Sequence, residues 1–236
     1  MKKYFILAVI YEIIFLLNIA CFPLTMGEAM TIDKSKEIVK LPAPRFDGNI
    51  PVETALLKRR SVRSYAAEAL TLAEVSQLLW SAQGITDSRG FRTAPSAGAL
   101  YPLEVYIVAG RVQDLPAGIF KYRPHRHELF KILEGDRRAQ LCSAALNQSS
   151  VIQAPVVMVF CAVYERITGK YGNRGMQYVY MEVGHASQNV CLQAVSLGLG
   201  PLTIGAFYDD QVKTVIHAMA DERPLYIMPI GRLKSE

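Results

Sequence analysis

Three arginines and a hydroxyl fall within the five residues Arg59-Arg60-Ser61-Val62-Arg63. Guanidinium forks take phosphate oxygens in pairs and a serine hydroxyl donates one bond more, so this run can surround a phosphate group; the plain alternative is a solvated basic loop. Lys170-Tyr171, in Lys170-Tyr171-Gly172-Asn173-Arg174, sets an amine beside a phenol. A lysine withdrawn from water there could take or give a proton, unless the run is only a polar loop. Three further runs carry few reactive groups but could let a flat ligand lie close to the backbone. Ala94-Pro95-Ser96-Ala97-Gly98-Ala99-Leu100-Tyr101-Pro102 is a tight loop of small residues preset by two prolines. Gly198-Leu199-Gly200-Pro201-Leu202-Thr203-Ile204-Gly205-Ala206-Phe207 reads as a short strand whose Gly205 leaves its amide uncovered. Pro229-Ile230-Gly231-Arg232 places a glycine and an arginine at the end of the last strand. An ordinary connector or a solvated arginine would also account for each of these.

Other chemistries lack their residues. No GxGxxG, P-loop or Gly-x-Ser-x-Gly pattern occurs. His125, His127, His185 and His217 show no ligand spacing, so no metal site is expected. Cys21, Cys142, Cys161 and Cys191 form no CxxC pair, and buried small hydrophobes are the simplest reading of Cys161 and Cys191. The formal charge of +5 is mild and no basic stripe alternates with aromatics, which argues against a nucleic-acid partner while favouring anionic ligands.

The elements that must hold these runs follow from periodicity. Val52, Ala55 and Leu56 share a helical face just before the arginines. Thr71-Leu72-Ala73-Glu74 is a capping box, followed at helical spacing by Leu72, Val75, Leu78, Leu79 and Ala82, with Gly84 as the stop. Leu103 to Val108 reads as a strand, and Ile119 to Tyr122 with Glu128 to Ile132 as a hairpin about residues 123–127. Asp136 to Leu146 is helix-like, and Val156 to Val163 is a strand apolar enough to be covered on both faces. Tyr178 to Leu197 is a long helix, apolar nearly all round, which implies burial on most sides and hints at a second subunit. Asp209 or Asp210 can cap a helix carrying Val212, Val215, Ile216 and Met219, and Leu225 to Ile230 is a last strand. The mixture predicts a layered α+β domain over residues 51–236, large enough for one core in a chain of 236 residues that is 51% hydrophobic.

Residues 1–29 differ. Lys2 and Lys3 precede an apolar run from Tyr4 to Phe22, interrupted by Glu12, with Gly27-Glu28-Ala29 as a small-x-small site. This reads as a signal peptide, or as an anchor long enough to stay in a membrane, and predicts an exported or membrane-anchored protein. The charged start favours a domain outside the cytoplasm. Membrane contact is expected only through this segment. Residues 30–50, with Leu41-Pro42-Ala43-Pro44, read as an extended linker or arm.

Taken in order, Arg-Arg-Ser-x-Arg, Pro-Ser-Ala-Gly-Ala-Leu-Tyr-Pro, Lys-Tyr-Gly-x-Arg, Glu182-Val183-Gly184-His185-Ala186-Ser187-Gln188-Asn189, Gly-Leu-Gly and Pro-x-Gly-Arg resemble the nitroreductase superfamily from about Ile50 to Leu233. The Ser-Ala-Gly-Ala-Leu-Tyr-Pro loop and the Glu182 to Asn189 run are similar, more narrowly, to SagB-type dehydrogenases, which include azoline-oxidising enzymes. The resemblance implies a nitroreductase-like sandwich with an antiparallel-rich central sheet, in an intertwined homodimer binding flavin mononucleotide (FMN). It implies that Arg59, Arg60, Ser61, Arg63 and Arg232, with Gly231, cradle the phosphate. Pro95, Ser96, Ala97 and Gly98 would lie along the ring or ribityl chain, and Gly205 and Ala206 near the redox-active ring edge. Lys170 and Tyr171 match a lysine-tyrosine pair that removes the proton accompanying hydride transfer. The implied activity is hydride transfer between flavin and a small organic substrate, with NAD(P)H as a candidate electron donor. A membrane-tethered module that only holds flavin or relays its electrons is the alternative. Gly205-Ala206 departs from the more usual Gly-Gly pair, which could narrow the space over the ring.

Overall fold

The computed structural model describes residues 38–234. The signal or anchor reading of residues 1–29, and Cys21 with it, lies outside the described residues.

Seven strands form one antiparallel sheet in the order β1-β4-β3-β2-β5-β7-β6. They are β1 (Ile38–Lys40), β2 (Leu103–Ala109), β3 (Gly118–Arg123), β4 (Glu128–Glu134), β5 (Val156–Val163), β6 (Leu199–Pro201) and β7 (Glu222–Arg232). Interspersed among the strands are α1 (Val52–Lys58), α2 (Leu72–Gln83), α3 (Arg138–Ala144), α4 (Ser149–Gln153), α5 (Glu165–Tyr171), α6 (Arg174–Ser196) and α7 (Asp209–Val215). The architecture is α+β, as the mixed periodicity requires.

β5 shows why the sheet is a sandwich filling. All eight of its residues are buried. Val156, Met158, Phe160 and Ala162 enter the core under α2 and α6, whereas Val157, Val159 and Cys161 enter the core that α3, α4 and α7 close. Alternate residues of a strand point to opposite faces, so a continuously apolar strand needs a cover on each. β2 and β7 flank it, with Tyr106 opposite Val159 and Met228 opposite Met158.

α2 starts at the expected capping box: the Glu74 amide donates to Thr71 Oγ1 at 3.2 Å and the Thr71 amide to Glu74 Oε2 at 2.8 Å. α6 is longer than expected, and it is one-sided rather than apolar all round. Val179, Glu182, Val183, Ala186, Val190 and Ala194 are buried at helical spacing, while Met176, Tyr180 and Met181 face out. Two smaller expectations need correction. Asp209 and Asp210 lie within the first turn of α7 and neither caps it, the N-cap being Tyr208. α4, too short for periodicity to reveal, separates α3 from β5.

The stretch read as a linker is docked onto the domain from residue 38 on. β1 pairs with β4, Val39 opposite Leu129. Gln77 then brackets the backbone of Arg45, accepting from its amide at 2.9 Å and donating to its carbonyl at 3.0 Å. The Pro42 carbonyl accepts from Ser76 Oγ at 2.6 Å, and His127 Nε2 lies 2.7 Å from the same hydroxyl. A proline-bearing extended segment suits an edge strand, where backbone donors are not all needed.

Candidate functional site

The loop between α2 and β2 is held in a conformation that its residues do not favour. Gly98, Ala99 and Tyr101 all have positive φ, at 63°, 53° and 47°. Only glycine adopts this region freely, and each non-glycine residue there costs on the order of 1 kcal/mol. Tyr101 is clamped to offset it. Its amide donates to Ser96 Oγ at 2.9 Å, its hydroxyl accepts from the Arg92 amide at 3.2 Å, and its carbonyl accepts from Arg166 at 3.1 Å. The Arg92 guanidinium covers its ring at 4.4 Å. Arg166 is itself fixed by Glu104 of β2 at 2.5 Å.

Lys170 and Tyr171 occupy the last turn of α5, a helix rather than the loop the bland reading supposed. They converge on the clamped loop. A Cβ built on Gly98 would stand 2.8 Å from Tyr171 Oη and 3.0 Å from Lys170 Nζ. The amine and the phenol therefore reach the loop where it has no side chain. Tyr171 also packs edge-on to Tyr178 of α6, ring centroids 5.2 Å apart.

The other flank of the loop meets Glu182. Three carboxylates are buried among the described residues, Glu128, Glu182 and Glu222. Glu128 pairs with Lys40 at 2.5 Å, and Glu222 accepts from Tyr106 Oη at 2.5 Å and from Lys121. Glu182 is 2% exposed, yet both its oxygens lack a hydrogen-bond partner among the described residues. Burial lifts its pKa from an ordinary value to about 7, against the smaller opposing pull of the Ser96 hydroxyl and the Arg92 charge. Its signal was present in the sequence as a carboxylate on the buried stripe of α6, between Val179 and Ala186. Tyr101, Arg92 and Arg166 had no such signal, because their role arises from contacts distant in the chain.

The arginines of the run take different surroundings. Arg60 and Val62 line a recess of about 690 Å³ with residues 195–201, and Arg60 spends its guanidinium on the carbonyls of Leu57 and Arg59. Arg59 is close enough to Cys191 to pull its thiol's pKa down against the larger upward effect of burial, and Cys191 Sγ lies 3.9 Å from Thr203 Oγ1. Arg59 thus stands near the run that ends at Gly205-Ala206. Ser61 and Arg63 are exposed, and neither Arg59 nor Arg63 forms an ion pair among the described residues. The segment is anchored to the sheet edge: the Val62 amide donates to the Pro201 carbonyl and the Ala66 amide to that of Arg232, both at 3.0 Å.

Arg232 does not join the run. Its guanidinium binds both oxygens of Glu74, at 2.9 and 3.0 Å, so the capping-box glutamate also holds the end of β7. Gly231 is a packing glycine, since a Cβ there would meet the Tyr65 ring at 2.8 Å and Pro155 at 2.7 Å. A Cβ on Gly205, by contrast, would meet only Tyr226, at an ordinary 3.6 Å, so its exposed face is open. The Ala206 carbonyl accepts from Gln148 Nε2 at 3.0 Å. Pro95 and Gly98 are exposed, with Ser96 and Ala97 partly covered. Among the described residues no group of His, Cys, Asp and Glu is arranged to hold a metal, and no helix is long and apolar enough to cross a membrane.

A family model described as the nitroreductase family matches residues 56–232. A protein of Methanocaldococcus jannaschii named as a nitroreductase is 49% identical over 78% of this chain and 91% of its own. A solved structure from Anabaena variabilis, also described as a nitroreductase, is 32% identical, with a TM-score of 0.74 over 84% of this chain; the match spans 42% of that chain. The microcin B17-processing protein McbC of Escherichia coli is 26% identical over 71% of this chain and 64% of its own.

Two outcomes test this geometry. Gly98→Ala combines a left-handed backbone with contact against Tyr171 and Lys170, and should destabilise the protein by about 1–3 kcal/mol in urea unfolding. A cost near zero would mean the pair does not approach the loop. Glu182 titrates upward on folding, so the native state holds its proton more tightly and stability falls as pH rises from about 4.5 to about 7. Glu182→Gln should abolish that fall, a pH-dependent difference of about 3 kcal/mol between pH 4 and pH 8 at 1.36 kcal/mol per pKa unit. Parallel stability profiles for the two proteins would contradict it.

Proposed function

Because this chain belongs to the nitroreductase family, we propose that it is an FMN-dependent oxidoreductase that moves a hydride between bound flavin and a small organic substrate. The observation that carries the reading is the convergence of Lys170 Nζ and Tyr171 Oη on Gly98, in a loop of small residues. It favours turnover over a module that only holds flavin.

The chain's residues fit FMN at three points. The 95–98 loop is built of small residues, with Pro95 and Gly98 exposed, so a flat ring can approach its backbone. Arg59 and Arg63, with Ser61 between them, are cationic and unpaired among the described residues, which suits a dianionic phosphate. The face above Gly205 is open, so its amide can approach a ring edge. Arg60 and Arg232 contribute less directly, one turned to its own backbone and the other to Glu74. Arg232 would join the phosphate by releasing Glu74.

Bound FMN would supply the two-electron carrier, and NAD(P)H is the donor we propose when the enzyme works as a reductase. In the oxidising direction Lys170, or Tyr171 beside it, would remove the substrate proton as the hydride leaves. Their position at Gly98, which has no side chain, brings both groups within reach of a molecule lying on the loop. The likeness to McbC, a microcin-processing protein, and the Lys170-Tyr171 pair support a SagB-type dehydrogenase within the family. The exposed Val52, Leu56 and Leu57 of α1, with Met176, Tyr180 and Met181 of α6, support a homodimer in which a second copy covers them. Export or anchoring through the apolar run at Tyr4 to Phe22 remains part of the proposal, resting on that run and the two lysines before it.

Replacing Arg59 and Arg63 together by alanine should weaken FMN at least tenfold while leaving riboflavin, which lacks the phosphate, nearly unchanged. Equal losses for both ligands would remove the phosphate assignment. Lys170→Ala should keep its flavin and slow substrate oxidation by about 100-fold or more. Full turnover in that variant would reject its role.

A further inference from the structure

Two sets of groups meet the 95–98 loop, and only one is used above. Glu182 lines a recess of about 300 Å³ with Pro95, Ser96, Ala97, Tyr178, Met181 and His185. A buried carboxylate normally has its oxygens bonded, as Glu222 has through Tyr106 and Lys121. Neither oxygen of Glu182 makes a hydrogen bond of good geometry among the described residues, although the side chain is 2% exposed; the Ser96 hydroxyl beside it lowers its pKa without bonding it squarely. An unpartnered group of this kind, opening on a recess, suits a partner that arrives with a ligand. We propose that Glu182 is a specificity-determining residue of this site, accepting hydrogen bonds from the N–H group of a neutral, planar carboxamide on the substrate or hydride donor.

The chemical class follows from what surrounds the carboxylate. The walls supplied by Pro95, Ala97, Tyr178 and Met181 are apolar or aromatic and suit a flat body. Cations already face the region from each packed element. Arg92 lies before the loop, Arg174 of α6 stands 5.8 Å from the Tyr178 ring, and Lys170 meets the loop at Gly98. Another cation would meet their repulsion, and an anion would meet Glu182 itself. A neutral N–H donor satisfies the orphaned oxygens without either cost. The recess also adjoins the proton-handling pair, because Tyr178 packs against Tyr171. A ligand held by Glu182 would thus be placed beside Lys170 and Tyr171.

This inference rests on the flavin-enzyme reading, and the two fail differently. The test uses FMN-loaded full-length protein, with flavin content checked by absorbance, and titrates it calorimetrically with benzamide and with acetophenone. The two probes have nearly the same shape, and only benzamide carries N–H. Benzamide should bind at least tenfold more tightly, and Glu182→Leu should abolish that preference while retaining flavin. If the leucine variant does not fold, Glu182→Gln, which keeps the shape and one acceptor, should reduce the preference several-fold. Equal affinities for the two probes, or a preference that survives the substitution, would overturn the proposal while leaving a flavin-loaded protein. A protein that takes up no FMN would instead overturn the reading beneath it.

Discussion

The approach of Tyr171 Oη and Lys170 Nζ to 2.8 and 3.0 Å from where a Cβ on Gly98 would stand is the constraint on which the site depends. It works only if the loop is held left-handed at three positions, and such a backbone persists only where its surroundings over-determine it. Those surroundings are a short set of directed bonds at Tyr101, which donates to Ser96 and accepts from Arg92 and Arg166. The strain is local, while the restraint comes from α5, from β2 through Glu104, and from the segment after α2.

That restraint is credible because the sheet beneath it is fixed on both sides. β5 sends alternate side chains into two separate cores, so a shift of one residue would exchange every one of them between faces. β2, which follows the strained loop, pairs along its length with β5. α5 leads directly from the end of β5. The loop and the Lys170-Tyr171 turn are thus carried by neighbouring strands of one rigid body. Glu74 makes a second economical tie, closing the start of α2 and the end of β7 with the same carboxylate.

Much of this was legible in the sequence, and the misses share a cause. The capping box at Thr71, the apolar β5 run, the hairpin about residues 123–127 and the buried Cys161 and Cys191 are local patterns, and each is where periodicity puts it. The runs 59–63, 95–98 and 170–171 stand out in the sequence because their residue types are unusual for their surroundings. What spacing could not supply was direction. Arg60 turns to the carbonyls of Leu57 and Arg59, and Glu74 captures Arg232 from a position 158 residues distant. The docking of residues 38–50 was hidden for the same reason, since His127, Ser76 and Gln77 act on that segment across long separations. Glu182 is different: a carboxylate on the buried stripe of α6 was visible, but its orphaned state required the packing.

On the proposed function, the clamped loop together with Arg59 and Arg63 holds a flavin that cycles between oxidation states. The visible absorption spectrum of the purified protein, taken after incubation with FMN and removal of the excess and again after anaerobic addition of NADPH, decides this. A yellow protein with a perturbed flavin spectrum that bleaches on reduction is expected. A colourless protein after reconstitution, or one whose spectrum is that of free FMN, would refute it.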